Sequence, residues 1–285
     1  MCITFFHLDP DAKGNYRLIL AMNRDEAVGR TTERCQWKGD HMMLAGRDLT
    51  PGKEGGTWLG MDRHGRIGIL TNIATGSYEK EGKGRGHLIP DYLKSPLKPS
   101  EFLESLHKSE DVYNPFNLLL IDLQDQNHGE AACYTRGKPG HVIQTESPTL
   151  LDFKTKKIFG LSNSPLGQPF LKTTAGEKTF RALVEEYNDP RQKEANLLAA
   201  LIRMMSDPTR HDPDPQMALQ GGDPKRTALV SSIFVDIPGI YGTRMQSVIL
   251  VDSQNKAVFL ERTKTEGKDG LGEWTETRHD FDLDL

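Results

Sequence analysis

The second residue of the chain is a cysteine, and that position has chemical meaning. Removal of an initiator methionine in front of Cys2 would leave one residue carrying both a thiol and a free α-amine. An α-amine titrates near pH 8, so at neutral pH it can accept the thiol proton, and the residue becomes a nucleophile with its own base. A second polar group, Asn23-Arg24-Asp25-Glu26, directly follows an apolar stretch. An arginine or asparagine beside Cys2 would steady a thiolate or orient the amine, and Asp25 or Glu26 would accept a hydrogen bond from it. Thr71-Asn72 and Ser162-Asn163 bring side-chain amides able to donate to a developing oxyanion. Tyr241-Gly242-Thr243-Arg244 reads as a turn with an anion-binding arginine. Each also has a plain structural reading: Cys2 as part of a buried strand, the asparagines as turn formers, Arg244 as a surface arginine.

These positions need particular elements to carry them. Residues 2–8 and 16–22 are rich in β-forming side chains and flank a turn segment at 9–15, which predicts an N-terminal hairpin. A hairpin returns the far end of its second strand to the start of its first, so a loop at 23–26 is expected beside Cys2. A second hairpin, 57–62 and 66–72, turns at Arg63-His64-Gly65. Helices are predicted at 86–94 and 100–108, the second with Ser100 at a capped start. Strands at 116–123 and 131–135 follow, then helices at 176–187 and 192–206. The last of these is apolar nearly all round and is expected to be buried. A Pro/Asp/Gly-rich loop at 207–224 precedes strands at 229–236, 246–252, 256–262 and 273–280. Steady βαβα alternation is absent, so antiparallel sheets packed under helices fit better than a doubly wound sheet. The expectation is an α+β chain forming one domain over 1–285.

Composition narrows the partners. A chain of 285 residues can bury a sizeable core. Its net charge of −4, with no concentrated basic run, disfavours nucleic-acid binding. Three sparse cysteines, Cys2, Cys35 and Cys133, are no disulfide framework and point to a reducing compartment. No secretory leader is expected from MCITFFHLDPD, and no membrane span from a chain without about 18 consecutive apolar residues. KEGKGRG at 80–86 reads as a solvated loop, and GKEGG at 52–56 lacks the order of a phosphate loop. The histidines are scattered without paired ligand spacing, so no metal site is predicted. No CxxCH is present for covalent haem, whereas a non-covalent haem contact through Cys or His stays open.

MCITFF at the start, NRDE at 23–26, GKEGGTWLG at 52–60, LTN at 70–72, GLSN at 160–163 and YGTR at 241–244 keep their order along nearly the whole chain. Together they resemble the NRDE family, also called the transport and Golgi organisation protein 2 family. The resemblance implies the N-terminal nucleophile hydrolase superfamily, a four-layer αββα sandwich with mainly antiparallel sheets. Bile-salt hydrolases, penicillin V acylases and ceramidases with an N-terminal cysteine are relatives there. It implies Cys2 as nucleophile, and Asn23, Arg24, Asp25 and Glu26 in the region where those enzymes keep an Arg and an Asp. It further implies Asn72 and Asn163 at oxyanion positions and Arg244 as the late arginine. The contiguous NRDE departs from the spacing of the acylases.

The same resemblance implies roles in haem trafficking, lipid and acyl-CoA metabolism, and Golgi and secretory organisation. It therefore places first a soluble binder of an amphipathic metabolite, haem or acyl-CoA, needing no cofactor. Such a protein would work in the cytoplasm with mitochondrial and Golgi association, through peripheral membrane or protein contacts. The residues alone reverse that order. They assemble a cysteine amidohydrolase or thioesterase acting on C–N amide or thioester bonds. A protein scaffold ranks third, because no coiled coil, anchor helix or lipidation signal supports it.

Overall fold

Runs of apolar, β-forming residues stand at 2–8, 16–22 and 247–251, and they form strands there. The computed structural model describes residues 2–9, 14–39, 42–75, 83–123, 129–265 and 272–285. The strands and helices in chain order are β1 Cys2–Leu8, β2 Tyr16–Ala27, β3 Thr32–Lys38, β4 Met43–Asp48, β5 Leu59–Met61, β6 Arg66–Asn72, α1 Leu88–Lys94, α2 Pro99–Lys108, β7 Phe116–Asp122, β8 Glu130–Arg136, β9 Thr149–Leu150 and β10 Ile158–Leu161. After them come α3 Leu171–Tyr187, α4 Glu194–Met205, α5 Pro215–Leu219, α6 Pro224–Leu229, β11 Asp236–Ile237, β12 Tyr241–Asp252, β13 Lys256–Lys264 and β14 Trp274–Asp282. The chain divides into two compact units, one of residues 1–29, 152–162 and 167–282, the other of 30–151, 163–166 and 283–285.

The first unit is an antiparallel sheet in the order β10-β1-β2-β12-β13-β14, with β11 added beside β12. The period of two sends Ile3, Phe5, Ile19, Ala21, Val248, Leu250, Val258 and Leu260 to one face. There they join Phe180 and Val184 of α3 and Leu197, Leu201 and Met204 of α4 in one core. Each such aliphatic side chain contributes about 1.5–3 kcal/mol of burial. The alternate residues Phe6, Leu8, Leu18, Leu20, Ile249 and Val251 are buried as well. That two-sided burial is why these strands read as continuous apolar runs. Gly176 permits the close fit of α3 on β1, since a side chain there would collide with the Phe5 ring.

The second unit is an antiparallel meander in which each strand from β3 to β9 pairs with the next. Ile89, Tyr92 and Leu93 of α1 and Leu103 and Leu106 of α2 pack with Leu70, Leu118, Leu120, Ala132 and Tyr134 of the sheet. The turn between β5 and β6 is the one predicted. The Asp62 Oδ1 accepts the N–H groups of His64 and Arg66, each at 2.9 Å, and Gly65 takes the left-handed φ of 75°.

Several elements differ from the sequence reading. β2 does not stop at Met22 but runs to Ala27, so 23–26 is strand rather than loop, because β12 pairs with it throughout. The segment 241–244 is likewise strand, not turn. The strand predicted at 229–236 is the end of α6, a turn and a run of bends and then β11, because Pro224 and the Asp223 cap on Arg226 start a helix there. The loop at 207–224 contains α5, opened by the Asp214 carboxylate on the N–H groups of Gln216 and Met217. Ser100 is not a cap. Pro99 opens α2, and Glu101 reaches back to the Lys98 N–H at 3.0 Å. β3, β4, β9 and β10 were not predicted. β4 carries the buried Arg47, whose charge disguises a strand until its guanidinium reaches the carbonyls of Gln36, Ala45 and Met43. Residues 80–82 of the predicted glycine-rich loop, and Met1, lie outside the described residues. Among the described residues no helix is long and apolar enough to cross a membrane.

Candidate active site

Cys2 begins β1 and is 8% exposed. The β1–β2 register sets it directly opposite Arg24, as the hairpin argument required, although a strand and not a loop does so. Residues facing each other across a ladder share a face, so Cys2 and Arg24 lie on one side of the sheet. Arg24 is buried and its guanidinium stands 3.6 Å from the carboxylate of Glu26, two residues along on the same side. Ser162 follows β10 and donates its hydroxyl to the Cys2 carbonyl at 2.8 Å. Burial pushes the Cys2 thiol above its usual range, while Arg24 and a hydrogen bond from the Asp25 N–H pull it down.

Asn23 and Asp25 point to the opposite, helix-covered face. The Asn23 amide donates to the carbonyls of Met205 at 2.7 Å and Ile233 at 3.0 Å, closing the end of α4. Asp25 is 3% exposed and its Oδ1 accepts the Thr243 hydroxyl at 2.8 Å. Thr243 in turn receives the Val235 N–H at 3.0 Å. Burial is the largest influence on Asp25 and raises its pKa, opposed by positive charge nearby.

Part of that charge is Lys172, which the sequence analysis did not single out. It sits in the first turn of α3 and is 0% exposed. Its ammonium donates to the carbonyls of Val230 at 2.8 Å and Ser232 at 3.0 Å. Burial lowers its pKa, and Asp25, Cys2 and Asp214 oppose the lowering. One signal was present. Lys172, Gly176, Phe180 and Val184 are spaced by four, so the lysine lies in phase with the buried stripe of α3.

Arg244 occupies a bulge in β12. Thr243 pairs with Asp25 and Met245 with Arg24, leaving Arg244 as the extra residue. Its guanidinium donates to the carbonyls of Ala27 and Val28. With Tyr241, Ile237 and Lys264 it lines a depression of about 40 Å³, far smaller than the roughly 300–1,000 Å³ of a metabolite pocket.

In the second unit Asn72 closes β6 with its side chain exposed, and its carbonyl accepts the side-chain amide of Asn163. Asn163 is 1% exposed. The loop that carries it is held by Asn117 of β7, another residue the sequence analysis passed over. The Asn117 amide donates to the Ser164 carbonyl at 2.8 Å and to the Thr71 hydroxyl at 3.2 Å, and its Oδ1 accepts the Thr135 hydroxyl at 2.8 Å.

Helix-covered antiparallel sheets, one of them opening with a cysteine, define the fold of the N-terminal nucleophile hydrolases. The chain aligns with variant R18L of the conjugated bile acid hydrolase from Clostridium perfringens over 98% of this chain and 92% of that one. The TM-score is 0.50 and the identity 11%, a likeness of fold alone. The Transport and Golgi organisation 2 family model matches residues 1–266, and the chain belongs to that family. It is 34% identical to the Transport and Golgi organization protein 2 homolog of Homo sapiens and 36% identical to that of Bos taurus. Both alignments cover 99% of this chain and 99% of the relative.

Proposed function

We propose that the chain is an N-terminal cysteine hydrolase acting on an amide or thioester of an amphipathic acyl compound. The observation that supports this most is the burial of three ionisable side chains, Arg24, Asp25 and Lys172, around the start of β1. Burying charge costs several kcal/mol per ion, and shifted titratable groups gather at catalytic centres more than elsewhere. In the reaction, Sγ of Cys2 attacks the acyl carbon and the thiol proton passes to the Cys2 α-amine, freed by removal of Met1. The tetrahedral adduct expels an amine or thiol that takes this proton, and the acyl group stays on Cys2 as a thioester. Water, giving its proton to the same amine, cleaves the thioester to a carboxylic acid and restores the thiol. Arg24 steadies the thiolate, and Asp25 holds the amine in place.

The test begins with the intact mass and N-terminal peptide of the protein from eukaryotic cells, followed by turnover of an acyl-CoA and an N-acyl amide. The expected result is an exposed Cys2 amine and an acyl-enzyme mass that disappears in Cys2→Ala. A blocked Cys2 amine, or no turnover with an exposed one, ends this reading.

A second reading has its own support. Burial pushes the Cys2 thiol above its usual range, and the Asn163 amide is engaged on the Asn72 carbonyl, as suits a carrier that binds without reacting. The cargo would be haem or acyl-CoA, moved between cytoplasm, mitochondrion and Golgi, in keeping with the transport and Golgi organisation in the relatives' names. Saturable binding without turnover, with a Soret band in the case of haem, favours it.

A further inference from the structure

The segment Val230 to Val235 is tied down residue by residue. Lys172 holds the carbonyls of Val230 and Ser232, Asn23 holds that of Ile233, and the Val235 N–H enters the Thr243 hydroxyl. Thr243 then gives its single proton to Asp25 Oδ1, which makes that oxygen an acceptor. One continuous hydrogen-bonded strap therefore joins Lys172 on α3 to Asp25 on β2. Asn23 and Asp25 alternate onto the helix-covered face, and the residues Lys172, Gly176 and Phe180 face that side of the sheet from α3. The helix start is itself a poor place for a cation, because its exposed N–H groups are positive. A lysine buried there needs a compensating anion.

From this geometry we infer that Lys172 is a positioning residue, the fixed counter-charge that keeps Asp25 a carboxylate beside Cys2. The inference rests on the reading of Cys2 as the nucleophile, since the charged carboxylate is what holds the Cys2 amine. Other groups share the neighbourhood. Arg24 and the Thr243 hydroxyl also act on Asp25. Cys2 and Asp214 act on Lys172 besides Asp25, and Asp214 is already committed to the N–H groups of Leu171, Gln216 and Met217. None of these is removed by a change at Lys172, so its share can be measured.

The experiment is a ¹³C-carboxyl NMR titration of Asp25 in the full chain, assigned with Asp25→Asn. In Lys172→Met the midpoint is expected to rise by at least about one pH unit, the usual effect of losing a neighbouring opposite charge. The reciprocal measurement follows the Lys172 side-chain nitrogen, whose midpoint is expected to fall in Asp25→Asn. An unmoved Asp25 midpoint in folded Lys172→Met overturns the proposal. If either single variant fails to fold, Lys172→Met with Asp25→Asn decides: recovery of folding supports the pair, and failure to recover overturns it. These titrations need no substrate, so absence of turnover would end the hydrolase reading while leaving the Lys172 result to stand or fall by itself. Where turnover exists, the acid limb of the kcat/KM profile moves with the Asp25 midpoint.

Discussion

The surroundings of Cys2 in the first unit and of Asn117 in the second bury polar groups in different ways, although the second unit also buries charge elsewhere, at Arg47, Asp62 and Arg66. Around Cys2 the first unit buries charge: Arg24, Asp25 and Lys172, each with partners but each costly to desolvate. Around Asn117 the second unit buries neutral amides and hydroxyls, whose bonds run Thr135 to Asn117 to Thr71 and Ser164. A neutral network costs little once its bonds are made, and it stiffens the loop that carries Asn163. Ionised groups cost far more, and hydrophobic replacements of buried ion pairs are often neutral or stabilising. The cysteines repeat the contrast. Burial, and then Glu146, push the Cys133 thiol of β8 up to about 12. Cys2 has the same burial, but Arg24 and the Asp25 N–H act against it.

The sharpest way to break this comparison is to take away one buried charge. Asp25→Ala removes the largest of the negative charges acting on Lys172, and unfolding in urea is expected to show a loss of about 3–5 kcal/mol. A loss no larger than that of a neutral site would erase the distinction. Acid probes the first unit at another point. Burial lowers His7 of β1 to about 4 from its usual 6.5, with Asp9 raising and Lys157 lowering it. The unfolded chain binds that proton below pH 6.5 and the folded chain refuses it until about 4. This part of the stability is complete above pH 6.5 and fades as pH falls toward 4, amounting to about 3 kcal/mol. Stability curves of His7→Gln should be flatter over that window. In the second unit, Asn117→Ala leaves the Thr135 hydroxyl and the Ser164 carbonyl without a bond. Its expected cost is about 1–3 kcal/mol, with no new pH dependence between 4 and 8, as chemical denaturation at several pH values would reveal. The smallest effect belongs to exposed charge. Arg278 on β14 pairs with Asp280 and Glu194 at the surface, so Arg278→Ala should change the unfolding free energy by no more than about 1 kcal/mol.

Much of the frame was legible. The β1–β2 hairpin, the β5–β6 turn at Arg63-His64-Gly65 and the existence of α4 each follow from short-range pattern and turn chemistry, although α4 is buried on one side only, with Asn196, Ala199 and Arg203 exposed. The motifs that marked family membership were legible too. β3 and β10 were not, since β3 mixes charged and apolar residues and β10 has only four residues. Lys172 was missed as a candidate because the predicted helix began at 176, whereas α3 begins at Leu171 and carries the lysine in its first turn. Asn117 hid inside a strand read for its leucines. Arg244 was seen, but as an anion binder in a turn, and it proved to be a bulge residue spending its guanidinium on Ala27 and Val28.

Local order determined that Cys2 starts a strand and that the strand after the first turn brings Arg24 back to it. A hairpin's register is set by its turn and by the period of two, both of which are sequence properties. The tertiary structure decided which side of the sheet the helices cover, and with it the fate of each residue in the Asn-Arg-Asp-Glu run. The pleat alone says that Arg24 and Asp25 face opposite ways. Only the packing of α3 and α4 covers one of those faces with helices, ties Asn23 to Met205 and Ile233, and brings Lys172, 147 residues further along the chain, within electrostatic reach of Asp25. Contacts of that separation depend on how whole elements pack, and no local pattern encodes them.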